Sequence, residues 1–180
     1  MTRLNRSHEE LTLEQVAAYY VDSLEAIRLL KQNVLIGLPP IPNQFVGLTA
    51  TEVRVIFEAR EMELDRLATF NLLAATEASL RVDFHERINK KGKSDLDRAF
   101  LRIYREKRDK ISLEEHIIDE WKEFKSDLRH IFTNFKGILS YRHWLAHGRY
   151  WTPNLSLRKN DFDSLYPICF EVEKVLRDNR

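Results

Sequence analysis

Apolar residues recur at three- and four-residue spacing along most of the chain, which predicts amphipathic helices. Thr12 followed by Gln15 is a capping box, and the helical pattern it opens runs to about Leu35. The segment Gly-Leu-Pro-Pro-Ile-Pro at 37–42 then imposes an extended loop. Thr49 and Glu52 repeat the capping signature, and neither Gly nor Pro follows until Gly92. An unbroken helix of that length spans roughly 60 Å at 1.5 Å per residue, so it either kinks or projects and packs against a second copy.

Asn-Lys-Lys-Gly-Lys at 89–93 reads as a turn, and Asp95 to about Asp109 as a shorter basic helix. Ser112 with Glu115 is a third capping box, opening a helical pattern that lasts to His147. Within it, Gly137 marks either a break or a close helix contact, and Gly148 is placed as the C-terminal cap. Residues 150–160, with Pro153, form a loop. A final amphipathic helix uses Leu165, Ile168, Cys169, Val172, Val175 and Leu176, with Pro167 tolerable only in its first turn. The expected fold is all-α: a bundle of about five helices with a long second helix, residues 12–180 forming one domain behind a flexible segment at 1–11.

Composition narrows the function classes. Lys and Arg total 29 against 28 Asp and Glu, so any surface for a polyanion is a local patch. Residues 81–110 are such a patch, with 11 basic against 6 acidic residues, and Arg98, Arg102 and Arg105 share one stripe. A charge run of this kind reads either as a steering surface for RNA or as a solvated helix face. The single Cys169 excludes an intrachain disulfide and sits in a core pattern. No signal core and no run of 18 apolar residues is present, so a cytoplasmic protein with no membrane partner is expected.

Two charged residues interrupt apolar stripes. Phe70, Leu73, Glu77, Leu80 and Phe84 share one face of the second helix. Trp121, Phe124, Leu128, Ile131, Phe135, Ile138, Arg142 and Leu145 follow the same spacing later. Burying either charge alone costs several kcal/mol, which a desolvated pair partly offsets. Glu77 is therefore expected to approach Arg142 across the bundle; the local alternative is a pair with Arg81 one turn on.

Residues 141–151, Tyr-Arg-His-Trp-Leu-Ala-His-Gly-Arg-Tyr-Trp, hold the candidate chemistry. A guanidinium binds phosphate as a planar fork, and an imidazole moves protons near neutrality. Arg142 and His147 flank four intervening residues near a helix end, about 140° apart around a straight helix, so they converge on a ligand from two sides. The same spacing at Arg3 and His8 lacks any such setting. His143 and His147 have metal-ligand spacing, but no acidic residue on that turn completes a set, so neither metal nor cofactor is expected. The bland alternative is a helix end packed by Trp144 and Leu145 with surface histidines.

The segment Arg142-His143-Trp144-Leu145-Ala146-His147 resembles the HEPN superfamily signature, Arg, a polar residue, three residues, His. The resemblance covers about ten residues. It implies a helical bundle that dimerises with both motifs facing a shared cleft. It further implies a metal-independent endoribonuclease with a toxin or phage-defence role, often encoded with a nucleotidyltransferase-type antitoxin. Arg142, His147 and His143 are the implied catalytic residues, with Glu77 the candidate upstream acid. In such an enzyme the substrate's 2′-hydroxyl is the nucleophile and the products carry 2′,3′-cyclic phosphate ends. Arg149, Tyr150 and Arg81 are the candidate RNA-binding residues, with Trp151 a second base-stacking candidate. The alternative is a non-catalytic HEPN-like module that binds RNA, a nucleotide or a protein partner.

Overall fold

The computed structural model describes residues 8–90, 92–152 and 160–179. Residues 1–7 of the expected flexible segment, Lys91 of the expected turn and 153–159 of the expected loop, Pro153 included, lie outside them. The described residues form six α-helices and no strand. They are α1 (Leu13–Leu35), α2 (Ala50–Lys90), α3 (Asp95–Lys107), α4 (Asp119–Phe124), α5 (Arg129–Ala146) and α6 (Phe162–Asp178). Among the described residues no helix is long and apolar enough to cross a membrane.

The spine is α2, 41 residues without interruption. It opens on the predicted cap: Thr49 N–H donates to Glu52 Oε2 at 2.8 Å, and Glu52 N–H to Thr49 Oγ1 at 3.3 Å. The equivalent box at Thr12 and Gln15 starts α1. Contacts along α2 give the topology. Tyr20 meets Asp65 and Lys31 meets Glu61, so α1 returns antiparallel along the first half of α2. Phe100 meets Phe84 and Asp97 meets Arg87, placing α3 antiparallel to the far end. Glu77 faces Arg142 and Glu63 faces Arg149, which makes α5 antiparallel as well. Ser79 binds Glu173 and Arg87 binds the Asn179 carbonyl, so α6 runs parallel to α2.

The main core gathers the second half of α2 with α3–α6 and the start of α1, around the fully buried Leu73, Leu80, Phe84, Phe100, Trp121 and Phe135. A separate small cluster of Phe45, Val53 and Phe57 closes the far end of the α1–α2 hairpin. The first half of α2 therefore projects from the bundle as a two-helix arm.

The run from Ser112 to His147 is not one helix. A π-helical turn at Leu113–Ile118 leads into α4, and Lys125 (φ −115°, ψ 68°) breaks the chain before α5 begins. The break folds α4 back so that Trp121 stacks on Phe132 at 5.5 Å, while Phe124, which the stripe assigned to the core, stays 36% exposed. This split raises the helix number from about five to six. Gly137 is neither break nor close contact: it lies inside α5, with nothing within 4 Å of where a Cβ would sit.

The third capping box is half formed. Ser112 Oγ accepts from Glu115 N–H, but Ser112 N–H donates to His116 Nδ1, not to Glu115. Pro167 stands at the sixth position of α6, past its first turn. It is exposed there, on the solvent side of the helix.

Candidate functional site

The carboxyl end of α5 packs across the middle of α2, and the two charged interruptions meet there. Arg142 Nε lies 3.3 Å from Glu77 Oε2, with side-chain exposures of 31% and 17%. The approach is an ion pair by distance but off the hydrogen-bonding direction, so the buried Nε has no hydrogen-bond acceptor. The guanidinium also lies 5.6 Å from the Phe70 ring centroid, a favourable cation–π position. The local pair exists too: Arg81 Nε and Nη2 reach Glu77 Oε1 at 3.2 and 3.0 Å. One carboxylate thus receives two guanidiniums, one on each oxygen, which leaves the trio with a net positive charge.

That trio opens into a cleft of about 280 Å³, whose wall also includes Ser112, Glu114, Leu139 and His143. Ser112 and Glu114 arrive on the π-helical turn. Lys136 anchors that turn by donating to the Glu114 carbonyl at 3.2 Å and to the Asp119 carboxylate at 2.8 and 3.0 Å. Sequence periodicity did not mark Glu114, because a π turn shifts residues off the 3.6-residue face.

His147 is the cap residue of α5, and its N–H donates to the His143 carbonyl at 3.1 Å. Both imidazoles are exposed, and their ring centroids are 4.2 Å apart. Of the two, His143 lines the cleft and His147 is not part of its wall. The structure therefore brings Arg142, Glu77, Arg81 and His143 together and joins His147 to them through His143.

The α5 terminus is closed by a Schellman turn. Gly148 takes φ +82°, and the Arg149 N–H donates back to the Trp144 carbonyl at 3.2 Å. Arg149 also has positive φ, +59°, and a bidentate pair with Glu63 at 2.6 and 2.9 Å holds it there. This hydrogen bonding lowers the Glu63 carboxyl and raises the Arg149 guanidinium. Arg149, expected on an RNA backbone, is thus engaged by a partner on α2 that the sequence reading did not single out. Glu63 lies in a charged run, where nothing in the pattern separates it from its neighbours.

Tyr150 is 83% exposed and packs edge-on against Trp151 at 4.7 Å. Trp151 is fixed by the Trp144 indole N–H, which donates to its carbonyl at 2.7 Å, and its ring lies 5.9 Å from His143. An aromatic step therefore leads away from the imidazole pair.

A larger cleft of about 660 Å³ lies on another side of α5, between Tyr141, Trp144 and the base of the arm. Glu61, Asp65, Asp161 and Asp163 outnumber Arg28 and Arg66 in its wall. That sign repels a polyanion, so the smaller arginine-bearing cleft is the better phosphate site despite its size. On α3, Arg98 and Arg102 are exposed and make long pairs with Asp95 (3.5 Å) and Glu120 (3.9 Å). Among the described residues no three His, Cys, Asp or Glu side chains group as a metal site.

Comparison with family models, curated proteins and solved structures gives no match for this chain.

Proposed function

We propose that the protein is a metal-independent endoribonuclease of the HEPN type. The observation that carries this reading is the shared cleft: a guanidinium held by Glu77 beside His143, whose ring adjoins His147. Arg142 and Arg81 supply positive charge for a scissile phosphate, and Arg142 is the group that stabilises charge building on its oxygens. The imidazole pair supplies two proton-transfer groups. One takes the proton from the 2′-hydroxyl as that oxygen attacks phosphorus. The other protonates the departing 5′-oxygen, leaving a 2′,3′-cyclic phosphate and a 5′-hydroxyl. Tyr150 offers an exposed ring on which a neighbouring base stacks. A toxin or defence role in the cytoplasm, a dimer with facing motifs and a nucleotidyltransferase-type antitoxin complete the proposal.

The position of His147 outside the cleft wall favours a second reading, a non-catalytic HEPN-like module that holds RNA, a nucleotide or a protein in the same cleft. Incubation of the full chain with single-stranded RNA in EDTA decides between them. Cleavage that yields cyclic phosphate ends, spares DNA, and is lost in Arg142→Ala and in His147→Ala with the helical spectrum intact supports the nuclease. Binding without cleavage supports the module.

A further inference from the structure

The cleft of about 660 Å³ between α5 and the base of the arm combines aromatic walls with carboxylates. Tyr141 and Trp144 form one wall, stacked at 5.5 Å with their planes 19° apart. Tyr20 faces the same space from α1, and the exposed Met62 from α2. Asp65 comes from α2, and Asp161 and Asp163 from the start of α6. Both arginines of the wall already have partners: Arg28 lies 3.8 Å from Glu61, and Arg66 lies 3.5 Å from Glu63. Burial raises the Asp65 carboxyl, and the like charges of Asp161 and Asp163 add to that rise.

Two polar atoms here have unused hydrogen-bonding capacity. Asp65 accepts from the Tyr20 hydroxyl at 3.2 Å and from the Phe162 N–H at 3.1 Å, both on Oδ1. Its Oδ2 has no partner among the described residues. The Tyr141 side chain is only 6% exposed, yet its hydroxyl also lacks a hydrogen-bond partner among the described residues. Burial raises that phenol, so it keeps its proton and remains both donor and acceptor. Asp65, Arg66 and Asp161 of the cleft wall are among the charges acting on it, which places the hydroxyl at the cleft. The aspartates do not converge on one point: among the described residues no three His, Cys, Asp or Glu groups could hold a metal ion. The space they border is far larger than an ion and has aromatic faces beside it.

We infer that this cleft is a binding site for a small organic cation, a primary amine that carries an aryl body. An ammonium has three N–H donors and no acceptor, so it complements Asp65 Oδ2, Asp163 and the Tyr141 hydroxyl oxygen together. The aryl body lies along the stacked Tyr141 and Trp144 rings, whose faces also attract the charge. A carboxylate or phosphate ligand meets the wrong sign, and a neutral alcohol brings no counter-charge to the aspartates. The site is separate from the arginine cleft, on another side of α5, and stands whether or not that cleft cleaves RNA.

Isothermal titration of the full chain with phenethylamine tests this, with phenethyl alcohol as the uncharged counterpart. The wild type is expected to bind the amine about tenfold more tightly than the alcohol, or better. Asp65→Asn keeps the shape of the side chain; amine affinity is expected to fall about tenfold while Tm at neutral pH rises. A purely structural role for Asp65 does not move the two in opposite directions. Tyr141→Phe keeps the stacked ring, and its amine affinity is expected to fall roughly threefold to tenfold with the helical spectrum intact. A wild type that binds no amine at millimolar concentration overturns the inference. So does equal affinity for amine and alcohol, or unchanged amine affinity in either variant. Tighter binding of Nα-acetyl-lysine amide than of phenethylamine would give the cleft to a lysine of a partner protein and overturn it. Calcium chloride that binds the wild type and displaces the amine would give it to a metal, with the same consequence.

Discussion

Arg142 on α5 and Arg81 on α2 share the two oxygens of Glu77, at 3.3 Å and 3.0 Å respectively. The carboxylate neutralises one guanidinium, and Glu114 in the cleft wall sets a second carboxylate against the other. Glu77→Ala removes the common partner and leaves Arg142 half-buried against the Phe70 ring. A stability loss of about 1–2 kcal/mol is expected, read by urea denaturation. If the cleft cleaves RNA, kcat falls more than KM rises, since the guanidinium loses its orientation toward the transition state. Glu77→Gln, which keeps the shape without the charge, is expected to recover part of the stability. Equal stability of Glu77→Ala and wild type would show that the pair holds nothing in place.

Asp65 and Asp97 respond to pH in opposite senses. Burial raises the Asp65 carboxyl, although hydrogen bonds from Phe162 N–H and the Tyr20 hydroxyl act against that. The folded chain therefore binds this proton more tightly than the unfolded chain. The contribution is full below the ordinary carboxylate range and is lost as pH rises through the raised folded value. Asp65→Asn is expected to raise Tm at neutral pH by roughly 1–3 °C, small because the group is partly solvated. The gain should shrink in acid, and calorimetry at two pH values checks the sign.

Burial also acts to raise Asp97, but hydrogen bonds from Ser94 and Arg87 outweigh it and hold the carboxyl below its usual range. Its contribution is full above the ordinary carboxylate range and is lost as pH falls through the lowered folded value. The Arg87 side chain is 10% exposed and also serves Asp83 and the Asn179 carbonyl, so this cluster ties α2, α3 and the end of α6 together. Asp97→Ala is expected to cost about 2 kcal/mol at neutral pH, with the difference from wild type vanishing in strong acid. Denaturant midpoints across pH measure it.

Local signals that act within one turn were legible before the fold was known. The boxes at Thr12 and Thr49 and the stretch free of Gly and Pro predicted α1 and the long α2. The meeting of Glu77 and Arg142 was legible as well, because a single charge on each of two apolar stripes demands a partner. The break at Lys125 carried no such mark: residues 125–128 contain neither Gly nor Pro, and the apolar spacing runs straight through them. What decides that break is the stacking of Trp121 on Phe132, a tertiary contact that single-helix periodicity does not encode. The Glu63–Arg149 pair was equally hidden, since it joins a turn to a charged helix face 86 residues away.

That pair separates two candidate RNA contacts. Arg149 is already bidentate to Glu63, so a phosphate that recruits it displaces an existing partner of similar geometry. Arg149→Ala is therefore expected to change RNA affinity by less than about threefold and to loosen the turn after α5 instead. Tyr150 is free on its outer face, and Tyr150→Ala is expected to weaken single-stranded RNA binding by about 1–3 kcal/mol if a base stacks there. Fluorescence anisotropy with a short RNA compares the two. The reverse order of effects would move the RNA path from the aromatic step to the Arg149 turn.

Cys169 makes a test of core integrity that is independent of function. The side chain is fully buried on α6, and burial pushes its thiol up to about 12, against a weaker opposing hydrogen bond with Thr76. A thiol reagent meets the thiolate form, which both the high pKa and the packing suppress. The native chain is expected to leave a thiol-reactive dye unmodified for as long as it stays folded, with labelling appearing at the rate of global unfolding in denaturant. Rapid labelling without denaturant would mean that α6 separates from α2 in the native state. That opening would also release Ser79 from Glu173 and Arg87 from the Asn179 carbonyl, so it would lower the unfolding cost of the whole α2–α6 face.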